Sequence, residues 1–298
     1  MIKKLIAPLA LVVLLCAACQ KEGDVNPNAS TQSQDESGTN NRLTIPPTTF
    51  TQKLLIEMFG TAYCATCPDM EQKCRIQMAN HPNRVYGYVA HNADAMDFGL
   101  YDSLNKTFPV ATYASGALNR TLYGGKVVMA KQYWNTYVNT ALAKVATCGV
   151  QITSSINGTT ASVTVDAGFN ATMAGTYKLT TIIYQDSIIG VGSGYNQSNY
   201  YNGIVSSIWY GLGNPIIGYK HDFVSRKVLS STTLGDAISA TYIHTGGMFT
   251  KTYSVNIGAW NPRQLYVVAF INKIGTTSTT HEVMNVQSTK LGTSKNFD

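Results

Sequence analysis

The fold of this chain is decided by residues 54–68, which read LLIEMFGTAYCATCP. The first six of them form a short, almost continuous apolar run, which is typical of a strand that is covered on both faces. A helical pattern then extends from about residue 65 to residue 80 and is stopped by His81-Pro82-Asn83. Residues 85–90, VYGYVA, predict a second buried strand. We therefore predict a βαβ unit with parallel strands and a right-handed crossover.

The rest of the chain shows two different patterns. Up to about residue 147, the sequence predicts a hairpin over residues 109–121, centred on Ser115-Gly116, and a closing helix with one apolar face over residues 129–145. After Cys148 the helical period disappears, and strand-like runs rich in Thr, Val, Ile and Tyr are separated by Gly, Asn and Ser. These runs cover residues 150–156, 161–169, 177–185, 248–257, 265–272 and 282–291. Their spacing predicts an antiparallel β-sandwich.

The C-x-x-C motif, Cys64 to Cys67, lies between the first predicted strand and the helix that follows. Unpaired N–H groups and the dipole at a helix N-terminus stabilise a thiolate, so Cys64 is the predicted attacking thiol and Cys67 the resolving one. Pro68 is compatible with a first helical turn. Three interpretations stay open: a redox-active dithiol, an inert structural disulfide and a metal clip. The metal clip has the least support, because no second C-x-x-C or H-x-x-x-H supplies further ligands.

The same stretch resembles two known groups of proteins. The strand, the C-x-x-C, the helix and a later Phe108-Pro109 before a strand resemble a thioredoxin-like domain. More narrowly, the chain is similar to the Omp28-related outer-membrane lipoproteins of Bacteroidetes. That similarity is carried by residues 55–68, Asn119-Arg120, residues 221–229, and residues 267–270 together with 282–285.

The resemblance implies an α/β plus all-β chain, with a thioredoxin-like domain over residues 45–147 followed by an antiparallel β-sandwich domain over residues 148–298. It also implies that Pro109 is the cis-proline which packs beside the disulfide in the thioredoxin fold. It brings no settled activity and no cofactor. Thiol–disulfide exchange or binding with partner proteins is the function that we expect. The alternative is a non-catalytic surface binding or assembly protein whose disulfide is structural.

The start of the chain predicts export and lipid attachment. Lys3 and Lys4 precede a short apolar segment, and Ala17-Ala18-Cys19 then resembles the lipobox of bacterial lipoproteins. We predict a signal peptide over residues 1–18, acylation of Cys19, and a polar tether over residues 19–44. The alternative, an uncleaved anchor helix, would need a longer apolar segment. The expected location is the outer membrane, at the cell surface or on the periplasmic face.

The charge balance excludes one class of partner. The chain has 22 basic and 16 acidic residues, and removal of Lys3 and Lys4 with the signal peptide brings the net charge nearer +4. No basic cluster is present, so the sequence does not predict nucleic acid as a partner. We expect the partners to be the membrane, through the lipid, and other envelope proteins.

The two remaining cysteines, Cys74 and Cys148, predict a second disulfide. Cys67 and Cys74 are two helical turns apart, a rise of about 10.5 Å, which is beyond the roughly 7 Å limit on Cα separation for a disulfide. Cys148 is therefore the partner we predict for Cys74, in a bridge that would brace the domain boundary. Two buried free thiols are the alternative.

A group of aromatic residues falls in a loop rich in Gly, Asn and Ser: Tyr195, Tyr200, Tyr201, Trp209 and Tyr210. Exposed aromatic rings beside amide side chains suit contact with a glycan or a protein. The alternative is that they pin a long loop to the sandwich. The polar residues Arg120, Asp94 and Asp97 have no role that their spacing reveals.

Overall fold

The structure, a computed structural model, describes residues 42–298. Three α-helices, four short 3₁₀ helices and thirteen strands occur in this part of the chain. The first half contains β1 (Leu54–Gly60), α1 (Cys67–Asn80), β2 (Val85–His91), α2 (Leu100–Thr107), β3 (Ser115–Leu118), β4 (Val128–Ala130) and α3 (Trp134–Leu142). The second half contains β5 (Cys148–Asn157), β6 (Thr160–Phe169), β7 (Thr176–Gln185), β8 (Val224–Val228), β9 (Asp236–Ile238), β10 (Met248–Asn256), β11 (Leu265–Ile274), β12 (Glu282–Lys290) and β13 (Ser294–Lys295).

The predicted βαβ unit is present and forms the centre of a large mixed sheet. Strands β1 and β2 are parallel and in register from Leu54–Val85 to Gly60–His91, with α1 as their crossover. Strand β3 pairs antiparallel with β1, and β4 pairs antiparallel with β3. The complete order is β12-β11-β7-β8-β2-β1-β3-β4, with β9 added to β7.

The predicted boundary at residues 147 and 148 does not divide the strands. Strand β8 joins β2 through the Val89–Val224 pair and joins β7 on its other side, so strands from both halves form the same nine-stranded sheet. The described residues also lie within one compact unit. The six strand-like runs of the second half all coincide with observed strands, namely β5, β6, β7, β10, β11 and β12.

Two hydrophobic cores flank the large sheet. Along β11, Val267 and Ala269 contact the core shared with the four-stranded sheet β10-β6-β5-β13. Val268 and Phe270 contact the other core, which contains the βαβ unit and the helices. Successive side chains of a strand point to opposite faces, so one strand serves both cores.

The predicted hairpin around Ser115-Gly116 is wrong. Both residues lie inside β3, opposite Phe59 and Met58 of β1. A Cβ atom on Gly116 would lie 2.7 Å from the Glu57 carbonyl oxygen and 2.8 Å from the Trp134 ring. The glycine is therefore required by close packing and not by a turn.

The start of the described chain is held by β5 and β6. Arg42 Nε donates to Asp166 Oδ2 at 2.7 Å, and the Leu43 N–H donates to Gln151 Oε1 at 3.0 Å. Residues 42–44, which the sequence assigns to the tether, thus pack on the folded unit. The predicted signal peptide, the predicted acylation site Cys19 and the rest of the predicted tether lie outside the described residues.

Candidate functional site

The C-x-x-C motif forms the turn that leads from β1 into α1. Cys64 and Cys67 are joined by a disulfide, with their Cα atoms 5.4 Å apart. The Cys64 N–H donates to the Thr61 carbonyl at 3.0 Å, and the Cys67 N–H donates to the Cys64 carbonyl at 3.1 Å. The helix begins at Cys67, with Pro68 in its first turn, where a missing N–H costs no helical hydrogen bond.

The two sulfur-bearing residues differ in exposure. Cys64 is half-buried, whereas Cys67 is 2% exposed and belongs to the first core. Tyr63, immediately before Cys64, is 53% exposed. Cys64 is therefore the cysteine that a partner can reach, as the sequence predicts.

A loop from the second half of the chain covers this turn. We call residues 195–216 the cover loop. Gln197 Nε2 donates to the carbonyls of Ala62 at 3.1 Å and Cys64 at 2.8 Å. The N–H groups of Ser198 and Tyr200 donate to the carbonyls of Ala62 and Ala65, both at 2.8 Å. The backbone of the turn is thus held by a segment that is more than 130 residues away in sequence.

A lysine that sequence reasoning missed lies at the helix N-terminus. Lys131 Nζ donates to the Thr66 carbonyl at 2.9 Å and to the Tyr201 hydroxyl at 3.0 Å, and it forms an ion pair with Asp69 at 3.0 Å. Lys131 follows β4, far from the motif in sequence, so no local pattern could have placed it there. It brings a positive charge close to the turn, where that charge is paired with the Asp69 carboxylate.

The five aromatic residues do not act as one group. Trp209 is 5% exposed and packs with Ile216, Tyr219 and Tyr201, which pins the cover loop. Tyr195 is half-buried, and its ring packs against Gly190. Tyr200 and Tyr210, in contrast, are 64% and 49% exposed. The pinning interpretation therefore fits Trp209 and Tyr201, while Tyr200 and Tyr210 present a free aromatic surface.

The prediction for Pro109 is wrong. Among the described residues, Asn214–Pro215 is cis and Phe108–Pro109 is not. Pro109 is exposed, because the chain leaves α2 at Phe108 and reaches β3 only at Ser115. Pro215 lies in the cover loop, next to Ile216, whose N–H donates to the Gln197 carbonyl at 2.7 Å.

The predicted Cys74–Cys148 bridge is also wrong, and the alternative of two buried free thiols is confirmed. Cys74 lies in the first core, where its sulfur sits against Gly87, and Cys148 lies in the second core. Burial raises the pKa of the Cys74 thiol to about 12 and raises that of Cys148 further still. Both residues act as small apolar core groups.

A histidine–aspartate pair contacts the backbone just before the C-x-x-C motif. His91, at the end of β2, is buried, and its Nδ1 lies 2.7 Å from Asp94 Oδ2. The same carboxylate oxygen accepts the Ala62 N–H at 2.6 Å, and Oδ1 accepts the Met96 N–H at 2.8 Å. Asp94 thus fixes both the imidazole and the turn. Asp97 only accepts backbone N–H groups of its own loop, those of Ala93 and Gly99.

A second buried ionic group lies on α1, one turn after Cys67. The Tyr219 hydroxyl donates to Glu71 Oε2 at 3.2 Å, and Arg75 pairs with Asp222 and lies 3.7 Å from Glu71. Burial raises the pKa of Glu71 to about 8, against the opposing effect of Arg75. Burial, together with the charge of Asp222, also raises the pKa of Asp186 to about 7.

Arg120 belongs to a network on the opposite face of the sheet. It makes a two-pronged contact with Glu57, with 2.7 Å from Nε to Oε2 and 2.7 Å from Nη2 to Oε1. Its Nη1 donates to Asn272 Oδ1 at 2.9 Å. The guanidinium also lies over the rings of Phe108 and Phe270. Its role is structural, because it connects β1 with β11.

Within residues 42–298, no group of three or more His, Cys, Asp or Glu side chains is arranged to hold a metal ion. None of the helices in this part of the chain is long and apolar enough to cross a membrane.

The chain is similar to known proteins at two levels. A family model described as "Outer membrane protein Omp28" matches residues 101–295, whereas no curated protein matches the chain. Among solved structures, HBP35 of Porphyromonas gingivalis has a TM-score of 0.65 at 16% identity, over 81% of this chain and 76% of that one. A protein from Agrobacterium tumefaciens has a TM-score of 0.50 at 12% identity, over 83% of this chain and 98% of that one. At these identities the two structures show likeness of fold alone. Because the family model spans well over half of the 298 residues, this chain belongs to the Omp28 family of outer membrane proteins.

Proposed function

We propose that this protein exchanges thiols and disulfides with partner proteins of the cell envelope through Cys64 and Cys67. One observation carries the proposal: the disulfide joins a half-buried residue to a buried one at a strand–helix junction. In that position a partner can reach the first sulfur while the second stays enclosed. A purely structural disulfide needs no such asymmetry.

The strand order supports a thioredoxin-like arrangement for the first half of the chain. In the order β2-β1-β3-β4, β2 is parallel to β1, β3 is antiparallel to β1, and β4 is antiparallel to β3. The disulfide lies in the turn that follows the carboxyl end of β1. Helix α1 starts at the second cysteine. This arrangement would direct the N-terminal end of the helix dipole at the disulfide.

The chemistry follows from this geometry. In the reduced protein, Cys64 would attack a disulfide of the partner and form a mixed disulfide, which Cys67 then resolves. The helix N-terminus favours the Cys64 thiolate. The exposed ring of Tyr63 adds an apolar surface beside the attacking sulfur.

The alternative function is a non-catalytic binding or assembly module, and one observation favours it. The cover loop holds the carbonyls of Ala62, Cys64 and Ala65, so the turn is braced as a structural disulfide would be. In that case the exposed Tyr200 and Tyr210 are the contact surface for a protein or a glycan.

The reduction potential of the Cys64–Cys67 pair separates the two functions. The full chain is equilibrated in glutathione redox buffers, quenched with acid, and labelled with a maleimide that retards it on a gel. We expect a potential above about −300 mV, among the labile and catalytic disulfides. A Cys67→Ser variant is the control for single-cysteine labelling. A pair that stays oxidised in millimolar reduced glutathione would support the binding module.

We further propose that the protein is anchored in the outer membrane by acyl chains on Cys19. The proposal is supported by the lipobox-like Ala17-Ala18-Cys19 and by membership of an outer membrane protein family. Replacement of Cys19 by serine should abolish labelling by a radioactive fatty acid and release the protein from membranes. Cys16→Ser is the matched control and should keep both. Acylation of the Cys19→Ser variant would refute the anchor.

A further inference from the structure

The exchange reaction proposed above leaves one step without a proton acceptor. Cys67 is 2% exposed, so water has little access to its thiol in the reduced protein. A thiol must lose its proton before it attacks a disulfide. The buried environment around Cys67 therefore has to provide a base.

The sheet places His91 on the same face as Cys67, one strand away from the point that the Cys67 sulfur contacts. Gly60 has no side chain, and a Cβ atom built there would lie 3.2 Å from Cys67 Sγ. Gly60 and His91 are register partners in the parallel pair β1–β2, and such partners point to the same face of a sheet. Val89, two residues before His91 and on the same face, also borders this point. The imidazole of His91 is therefore on the α1 side of the sheet, on the strand beside the Cys67 sulfur.

The hydrogen bonds of His91 leave one ring nitrogen for this task. Burial opposes the ionisation of Asp94, but hydrogen bonds from His91 and from the N–H groups of Ala62 and Met96 lower the pKa of that carboxyl below its usual value. An ionised Asp94 accepts only, so Nδ1 of His91 carries the hydrogen. Nε2 of His91 is buried and has no hydrogen-bond partner among the described residues. In neutral His91 it is an unoccupied acceptor.

We propose that His91, oriented by Asp94, takes the proton from the Cys67 thiol when Cys67 resolves the mixed disulfide; the inference rests on the proposed function. The Cys67 thiol gives its proton to Nε2, and its sulfur attacks Cys64 Sγ. The Cys64–Cys67 bond forms, and the bond from Cys64 to the partner sulfur breaks. The partner thiolate leaves and is protonated by the imidazolium or by water. Overall, the protein dithiol is oxidised and the partner disulfide is reduced to two thiols.

Other titratable groups around His91 are engaged in different contacts. His221, from the segment before β8, lies 5.7 Å from His91 between ring centroids, and its Nε2 donates to the Tyr195 carbonyl at 2.8 Å. Its Nδ1 is buried without a hydrogen-bond partner among the described residues, but His221 has no carboxylate partner that would orient it as Asp94 orients His91. Burial and the neighbouring His91 lower the pKa of His221 to about 4, so it stays neutral. On α1, Glu71 accepts from Tyr219 and faces Arg75.

The remaining charges next to this region also have partners. Asp222 pairs with Arg75 and with Lys220, and Asp186 accepts the Phe223 N–H at 2.7 Å. Asp94, which orients His91, also contacts the C-x-x-C turn itself, through the Ala62 N–H. This contact and the unpartnered Nε2 make His91 the base we assign.

The two steps can be timed separately with dithiobis(nitrobenzoate), an aromatic disulfide that releases a coloured thiolate. The reduced full chain should release one equivalent as Cys64 reacts and a second as Cys67 displaces the mixed disulfide. General-base catalysis contributes about 10²–10⁴-fold, so His91→Gln should slow the second release at least about tenfold. The first release should stay within about twofold, because Cys64 reacts before His91 is needed.

Three variants make the test decisive. His281→Gln, a control at a histidine that packs on Phe108 on the other side of the sheet, should leave both phases unchanged. Asp94→Asn should slow the second phase by a smaller factor, and it carries the test if His91→Gln does not fold. A chain with Cys64→Ser and Cys67→Ser gives the blank for all other thiols.

The outcomes distinguish the two proposals. Slowing of the second phase alone supports the role of His91. The role of His91 would be overturned if His91→Gln and Asp94→Asn left the kinetics unchanged, or if both variants slowed the two phases equally. The proposed exchange function would still stand in that case, provided that the wild-type chain releases thiolate in two phases. If the wild-type chain shows no second release at all, the proposed exchange function itself fails, and the role of His91 fails with it.

Discussion

The Arg120–Glu57 ion pair offers a direct test of how the two halves of the chain are joined. Arg120 is fully buried, and it binds Glu57 of β1 through two hydrogen bonds of 2.7 Å and Asn272 of β11 through a third of 2.9 Å. The perturbation is Arg120→Met. Arg120 has φ of 52°, a conformation in which arginine and methionine are equally restricted, so the change removes the charge without altering the backbone strain.

The expected cost follows from what the substitution leaves behind. Without Arg120, the Glu57 carboxylate is buried with the Tyr88 hydroxyl as its remaining side-chain donor. Loss of one partner of a buried ion pair typically costs about 3–5 kcal/mol, because the other charge stays buried and uncompensated. Loss of the contacts with the Phe108 and Phe270 rings adds about 0.5–1 kcal/mol for each. We therefore expect the free energy of unfolding to fall by roughly 4–7 kcal/mol.

The assay is urea unfolding of the full chain, followed by tryptophan fluorescence and by far-UV circular dichroism. The matched control is Arg263→Met at an exposed site, which should change stability by less than about 0.5 kcal/mol. The double variant Glu57→Leu/Arg120→Met should be more stable than Arg120→Met alone, because it leaves no buried charge. A loss below about 1 kcal/mol for Arg120→Met, or a double variant that is no more stable than the single one, would refute this reasoning.

Three further predictions concern pH, the free thiols and the cover loop. Burial raises the pKa of Glu71 from 4.5 to about 8, so the folded state holds this proton more tightly than the unfolded state does. The protonated carboxyl therefore contributes to stability below pH 4.5, and this contribution is lost as the pH rises through about 8. In the wild-type chain, Glu71 should make the free energy of unfolding fall by up to ~1.4 kcal/mol per pH unit between those limits, and Glu71→Gln should remove this pH dependence. The measurement is the midpoint of urea unfolding as a function of pH. Without any reductant, iodoacetamide should alkylate Cys74 and Cys148 in denaturant but not in the native protein, as measured by peptide mass spectrometry. Labelling of either residue in the native protein would contradict its burial. Gln197→Ala leaves the carbonyls of Ala62 and Cys64 without a side-chain donor, so the free energy of unfolding should fall by about 1–3 kcal/mol. Amide hydrogen exchange across the cover loop should become faster. The control Gln132→Ala, at an exposed residue, should show neither effect.

The local features of the site could be read from the sequence, because their causes lie within a few residues. The apolar run of β1, the helix that starts at the second cysteine and the second strand follow from hydrophobic period and turn residues alone. The same holds for the six long strands of the second half, where runs of β-branched residues are interrupted by turn residues. The difference in exposure between Cys64 and Cys67 also follows from their positions before and inside the first helical turn.

The features that failed, or that were invisible, all depend on contacts between distant parts of the chain. The pairing of β8 with β2, which merges the two predicted domains into one sheet, joins Val89 to Val224. The Cys74–Cys148 prediction assumed that the two thiols would meet, and only the packing of two separate cores keeps them apart.

The sequence by itself determined β1, α1, β2, the six long strands of the second half and the position of the C-x-x-C pair, whereas the tertiary structure decided what surrounds that pair. Gln197, Lys131 and Asp94 reach the C-x-x-C turn from three different segments, and no spacing in the chain connects them with it. Periodicity records only which face of an element is buried. Strand order and loop packing are set by the burial of all faces together, which is a property of the whole chain and of no single segment.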